Sequence, residues 1–159
     1  MINNDRIRNM IDKNALQNSI EWVKGSSKGV MGTPLDHLTI EAIQIVEAHE
    51  GFLRCNFIVP FHLLDNDGNW HTGAIAALID CLGGITIYSF TGNLKASLDL
   101  SISFYSTVKQ QEEVEVLAKV VGKKGKLASA EVKIRRKDNR QLVASGRLWI
   151  SSSIQESKL

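Results

Sequence analysis

Asp80 is a carboxylate set inside an apolar run, flanked by Leu78-Ile79 and Cys81-Leu82. A charge is almost never fully buried without a partner or a task, because leaving water uncompensated is costly. The run opens on a polar stretch, Asp65-Asn66-Asp67-Gly68-Asn69-Trp70, which leads into His71-Thr72-Gly73. The unpaired N–H groups of a helix start point outward and favour negative charge, so this segment could polarise a carbonyl oxygen. A carboxylate acting as general base or nucleophile, together with polarising donors, is what hydrolysis of an activated acyl compound needs. A plainer reading of the same residues has His71 bonded to a carbonyl at the helix start and Asp80 satisfied by backbone donors.

Spacing constrains how these groups cooperate. If residues 71 to 90 form one helix, Asp80 lies roughly 13.5 Å along the axis from His71 and roughly 10.5 Å from Gly73. One substrate carbonyl cannot meet both ends of such a span. If both ends act, the start of one helix must work with Asp80 of another, which requires a dimer.

The helix that carries these groups is apolar nearly all round, so other structure must wrap it. Its alanines and Gly83-Gly84 allow neighbouring backbone to approach. Ahead of it, residues 3 to 24 place Ile7, Met10, Ile11, Leu16, Ile20 and Val23 at mostly helical spacing. A loop from Gly25 through Gly32-Thr33-Pro34 follows, then two extended stretches at about 38 to 48 and 52 to 60. Beyond the helix, four runs alternate apolar and polar residues: Leu98 to Phe104, Val114 to Val120, Ala128 to Ile134, and Leu142 to Ile150. Period-two patterning joined by Gly122-Lys123-Lys124-Gly125 and Asp138-Asn139-Arg140 predicts an antiparallel meander with one face buried. The expected class is α+β, a sheet of about six strands curled around one long helix.

A chain of 159 residues with 43% hydrophobic and 23% charged content is an ordinary globular domain. A net charge of +2 is too small to argue for nucleic acid. The local basic clusters Lys123-Lys124-Gly125-Lys126 and Arg135-Arg136-Lys137 suit a small anionic ligand at most. Cys55 and Cys81 match no zinc or redox spacing, and Cys81 is expected to be a buried, reduced thiol. No metal site and no bound cofactor are expected, no apolar run is expected to reach membrane-spanning length, and no secretory signal is read at the start of the chain. The last three residues, Ser157-Lys158-Leu159, form the peroxisomal import tripeptide after a polar tail. The expectation is a peroxisomal protein whose tail meets an import receptor.

With these residues in view, the chain resembles the hotdog-fold acyl-CoA thioesterases, in particular the single-domain group of thioesterase superfamily member 2 and the bacterial phenylacetyl-CoA thioesterases. The likeness covers about residues 35 to 150. It rests on the polar turn, on a His-x-Gly opening the central helix, on an Asp nine residues after that His, and on Ser97-Leu98-Asp99-Leu100-Ser101-Ile102-Ser103-Phe104-Tyr105. It implies a hotdog domain at 35–150, an N-terminal helical extension at 1–34 and a tail at 151–159. It also implies hydrolysis of acyl-CoA, with Asp80 as general base or nucleophile toward substrate held by the neighbouring subunit. The Gly73 N–H would polarise the thioester carbonyl, His71 would orient the site and Ser97 would position the attacking water. Asp65 and Asn66 fall where the pattern often has an asparagine, and Thr72 replaces a glycine. Asp99 and Phe104 would contact substrate, and Gly122, Lys123, Lys124, Gly125, Lys126 and Leu127 would lie along CoA. The implied assembly is a homotetramer, a dimer of hotdog dimers. Two other functions fit the same outline: a hotdog enoyl-CoA hydratase, or an acyl-CoA or lipid-binding protein without turnover.

Overall fold

The computed structural model describes the backbone of residues 4–151 and the side chains of residues 14–151. The terminal tripeptide lies outside the described residues. Helix α1 (Asn4–Ser27) and the short α2 (Pro34–Ile40) precede strands β1 (Ile43–His49) and β2 (Phe52–Ile58). A single 3-10 turn at Phe61–Leu63 leads through the polar loop to the long helix α3 (Thr72–Thr91). Strands β3 (Ala96–Phe104), β4 (Glu113–Lys124), β5 (Leu127–Arg136) and β6 (Leu142–Ser151) complete the chain. All six strands form one antiparallel sheet in the order β1-β2-β4-β5-β6-β3. The sheet wraps α3, which is the hotdog arrangement.

The alternation read in β4 and β5 is realised. Val114, Val116 and Ala118 of β4 and Ala128, Ala130, Val132 and Ile134 of β5 are buried. They face Leu78, Ile79 and Leu82 of α3 within one core. The helix sits close to the sheet because two contact points lack a Cβ. A Cβ on Gly83 would collide with Leu148, and one on Gly146 would stand 2.6 Å from Ile79 Cγ2. At Gly84, by contrast, a Cβ would make only ordinary contact, 3.5 Å from Ile150 Cδ1.

Three expectations are corrected. The stretch from 38 begins as helix, because Thr33 and Asp36 form a reciprocal capping box and Pro34 sits in the first turn. Strand β1 therefore starts only at Ile43. Strand β3 is not part of a sequential meander; it pairs with β6 at the far edge, with Leu100 opposite Leu148 and Phe104 opposite Ala144. Its apolar row is not buried: Leu98 is 58% exposed, Leu100 39% and Phe104 47%. Finally, α3 is long and apolar enough to cross a membrane by composition, contrary to the reading that no run reaches that length. More than half of it is buried inside the fold. The sheet covers one side. Helix α1 covers another, where Val23 is buried and the Ser19 hydroxyl approaches the Ile85 carbonyl at 3.4 Å.

Candidate active site

The polar turn ahead of α3 is built by Asp65. Its Oδ1 accepts the N–H groups of Asp67 and Asn69, each at 2.9 Å, and its own N–H donates to the Asn69 carbonyl at 2.7 Å. Local bonding of this kind is what Asp does best in turns. Oδ1 is thus committed to shaping the loop, whereas Asn66 is exposed. Trp70 then anchors the helix start. Its ring is buried and stacks on Phe57 at 5.1 Å, and the Trp70 backbone N–H donates to the Val108 carbonyl.

His71 is the N-cap of α3, and its Nδ1 accepts the Gly73 N–H at 2.9 Å. An accepting Nδ1 leaves the ring proton on Nε2, so the backbone of Gly73 selects the imidazole tautomer. A Cβ at position 73 would lie 3.0 Å from that same Nδ1, so any larger residue would crowd the ring. The Gly73 N–H, expected to polarise a substrate carbonyl, is therefore engaged by His71. Among the described residues, the N–H groups of Thr72 and Ala74 have no acceptor, so the first turn keeps open donors.

Asp80 lies two turns further along α3, half-buried, and Oδ1 accepts the Ser97 hydroxyl at 2.9 Å. The register of β3 slips between Ser97 and Asp99. Ser97 pairs with Ile150 and Asp99 with Trp149 of β6. Both Asp99 and Phe104 are exposed on this edge strand. Asp80 and Ser97 open onto a cavity of about 550 Å³, bounded by α1, α3 and the start of β3. Asn18, Glu21 and Trp22 of α1 form one side of it. None of Asp65, Asn66, His71 or Gly73 borders this cavity. One chain holds the two halves of the expected site apart, as helix arithmetic requires. Among the described residues, Asp80, Asp36 and Glu21 take part in no ion pair.

Cys81 also borders the cavity, but burial pushes its thiol up to about 12, with Asp36 and Asp80 adding to the shift. A thiol held neutral is a poor nucleophile, so Cys81 brings no reactive sulfur to this wall.

The β4–β5 hairpin forms a second, smaller site. Lys123, Gly125, Lys126 and Leu127 face Thr91 and Asn93 around a cavity of about 170 Å³. Gly125 turns the chain at φ 58°, a left-handed conformation that glycine adopts without strain. Lys123 Nζ stands 5.6 Å from the Phe90 ring centroid. Gly122 and Lys124 lie in the strand, paired with Ser129 and Leu127. Neutral walls with ammonium groups at the mouth suit a phosphate-bearing ligand.

The sequence reading assigned no chemical role to α1, yet its last turns border the Asp80 cavity. The clue available was a tryptophan, Trp22, beside an acidic residue on an otherwise ordinary amphipathic helix; only its packing on α3 reveals what that pair faces.

The fold is the hotdog fold, and the chain is similar to thioesterases that share it. The thioesterase superfamily model matches residues 67–143, which run from the polar turn through α3 into β6. The chain is 28% identical to mouse (Mus musculus) acyl-coenzyme A thioesterase 13 over 109 residues, covering 68% of this chain and 78% of that relative. Among solved structures, thioesterase superfamily member 2 from Mus musculus superposes with a TM-score of 0.75 at 25% identity, covering 87% of this chain and 97% of that one. The zebra fish thioesterase superfamily member 2 superposes with a TM-score of 0.76 at 22% identity, covering 86% and 97%.

Proposed function

We propose that this protein hydrolyses acyl-CoA to a free carboxylic acid and CoA, with Asp80 as the general base or nucleophile. The observation that carries the reading is the Ser97–Asp80 hydrogen bond at the wall of the 550 Å³ cavity. The hydroxyl fixes one carboxylate oxygen and leaves the other free to take a proton from water or to attack the thioester carbon.

The developing oxyanion is held on this reading by the start of α3 of a second subunit. On this reading the N–H groups of Thr72 and Ala74 and the Nε2–H of His71 are the donors, and the Gly73 N–H joins them if the imidazole swings aside. The second subunit docks along β3, whose exposed backbone edge and exposed Leu98, Leu100 and Phe104 support a strand-to-strand dimer. Two such dimers would make the tetramer. The CoA phosphates lie against the hairpin of Gly122, Lys123, Lys124, Gly125, Lys126 and Leu127. The name of the mouse relative supports the acyl-CoA substrate, and Ser157-Lys158-Leu159 supports import into peroxisomes.

The test is thiol release from a panel of acyl-CoA esters by wild type and by Asp80→Asn. Hydrolysis by wild type that falls at least a hundredfold in the variant is the expected result; full activity in Asp80→Asn would sink the mechanism.

A further inference from the structure

We propose that the cavity beside Asp80 receives the acyl chain, and that acidic groups from α1 and α2 restrict it to acyl groups with uncharged tails, turning away chains that end in a carboxylate. The proposal rests on the acyl-CoA reading above and names the class of acyl group.

Size and lining point to a chain-binding pocket. At about 550 Å³ the cavity lies within the ~300–1,000 Å³ typical of small-molecule sites. Trp22, Ile85, Tyr88, Leu94 and Ile150 supply apolar wall. Gly84 leaves the α3 side open: its missing side chain is what keeps the space between α3, Leu94 and Ile150 clear.

Charge sets the selectivity. Beyond Asp80, the described residues of the cavity wall include the carboxylates of Glu21 from α1 and Asp36 from α2, against one cation among them, Lys95, at the lead-in to β3. Glu21 bonds to Gln17 Nε2 and Asp36 to the Thr33 N–H and hydroxyl, so local contacts orient both and neutral groups leave their charge in place. The field of Asp36 reaches the cavity wall, where it raises the Cys81 thiol. Like charges brought within several ångströms in a site that is part protein and part water repel appreciably. An acyl tail ending in a carboxylate meets that repulsion, whereas an alkyl or aryl tail gains from leaving water.

The experiment compares decanoyl-CoA with its ω-carboxyl counterpart, decanedioyl-CoA. In wild type, kcat/KM is expected to favour the neutral chain by about tenfold or more. Glu21→Gln with Asp36→Asn is expected to narrow that ratio at least threefold by improving the acidic substrate, with folding checked by circular dichroism. Gly84→Leu is expected to suppress hydrolysis of decanoyl-CoA far more than that of acetyl-CoA. Equal kcat/KM for the two tails, an unchanged ratio in the double variant, or a chain-length profile untouched by Gly84→Leu would each overturn the proposal. Should no acyl-CoA be hydrolysed, the functional reading fails, and the pocket is judged by binding instead. Non-hydrolysable alkyl-CoA thioethers with neutral and carboxylated tails are titrated while tryptophan fluorescence is followed. A response to the neutral tail alone that disappears in Trp22→Phe upholds the pocket; no response, or the same response to both tails, overturns it.

Discussion

Ser97 and Asp80 meet across 2.9 Å, which ties the first residues of the edge strand β3 to the middle of the central helix α3. The contact joins an exposed edge strand of the sheet to a half-buried carboxylate on the cavity wall. Disturbing either partner reads out on both chemistry and assembly.

Asp80→Asn keeps the shape of the side chain and its bond to Ser97 but removes the base. Thiol release should fall by about 10²- to 10⁴-fold, the usual worth of a positioned acid–base group. Ser97→Ala removes only the orientation and should cost roughly tenfold. Unchanged far-ultraviolet circular dichroism in both variants would show that the loss is chemical.

The edge strand should govern oligomeric state. Replacing both Leu98, 58% exposed, and Leu100, 39% exposed, by Arg sets like charges against each other in any two-fold β3 pairing. Light scattering should report monomers for the double variant, and activity should disappear with the dimer. An active monomer would disprove the sharing of one site between two helices.

Close packing of α3 on the sheet should be intolerant of added volume. Gly146→Ala puts a Cβ 2.6 Å from Ile79 Cγ2, so helix or strand must shift. Overpacking of this kind costs about 1–3 kcal/mol, which for a chain of this size lowers Tm by several degrees. Thermal unfolding followed by circular dichroism measures it. Gly84→Ala, where a Cβ would meet only ordinary contacts, should leave Tm the same or higher, since alanine is the better helix former.

Both cysteines should be silent in the native state. Burial pushes Cys55 and Cys81 up to about 12 from an ordinary 9, so neither is ionised to a useful extent at pH 8. Titration with a disulfide reagent should find no fast protein thiol until denaturant is added. The folded state holds these protons more tightly than the unfolded chain does. The associated stability is therefore complete below about pH 9 and is lost as pH rises toward about 12. Urea unfolding at pH 7, 9 and 10.5 should show that decline.

Much of this molecule was legible before folding. The alternation in β4, β5 and β6 marked the buried face of the sheet, because a period of two admits one solution when one face is dry. The apolar run of α3 declared a wrapped helix, and the lone Asp80 within it is a carboxylate that the fold places on a cavity wall. The capping box of Thr33 and Asp36 was equally legible as residue types, but its helix is only Pro34–Ile40, too short to show a period. Asp65, at a position where the family pattern often has an asparagine, is bonded through Oδ1 to its own turn, since a carboxylate and the N–H groups two and four residues on find each other locally.

Local interactions, then, were decided by the chain's order: which segments are helix or strand, which face of β4 and β5 is buried, and which carboxylate sits out of place. Contacts between distant segments were decided only by the tertiary structure. These include β3 joining β6 at an open edge, Ser97 reaching Asp80, and α1 bringing Glu21 and Trp22 to the cavity beside it. Periodicity records which side of an element prefers water, and that preference is met equally by many partners. The choice among them comes from fitting shapes, such as Gly83 against Leu148 and Gly146 against Ile79, that no single segment contains.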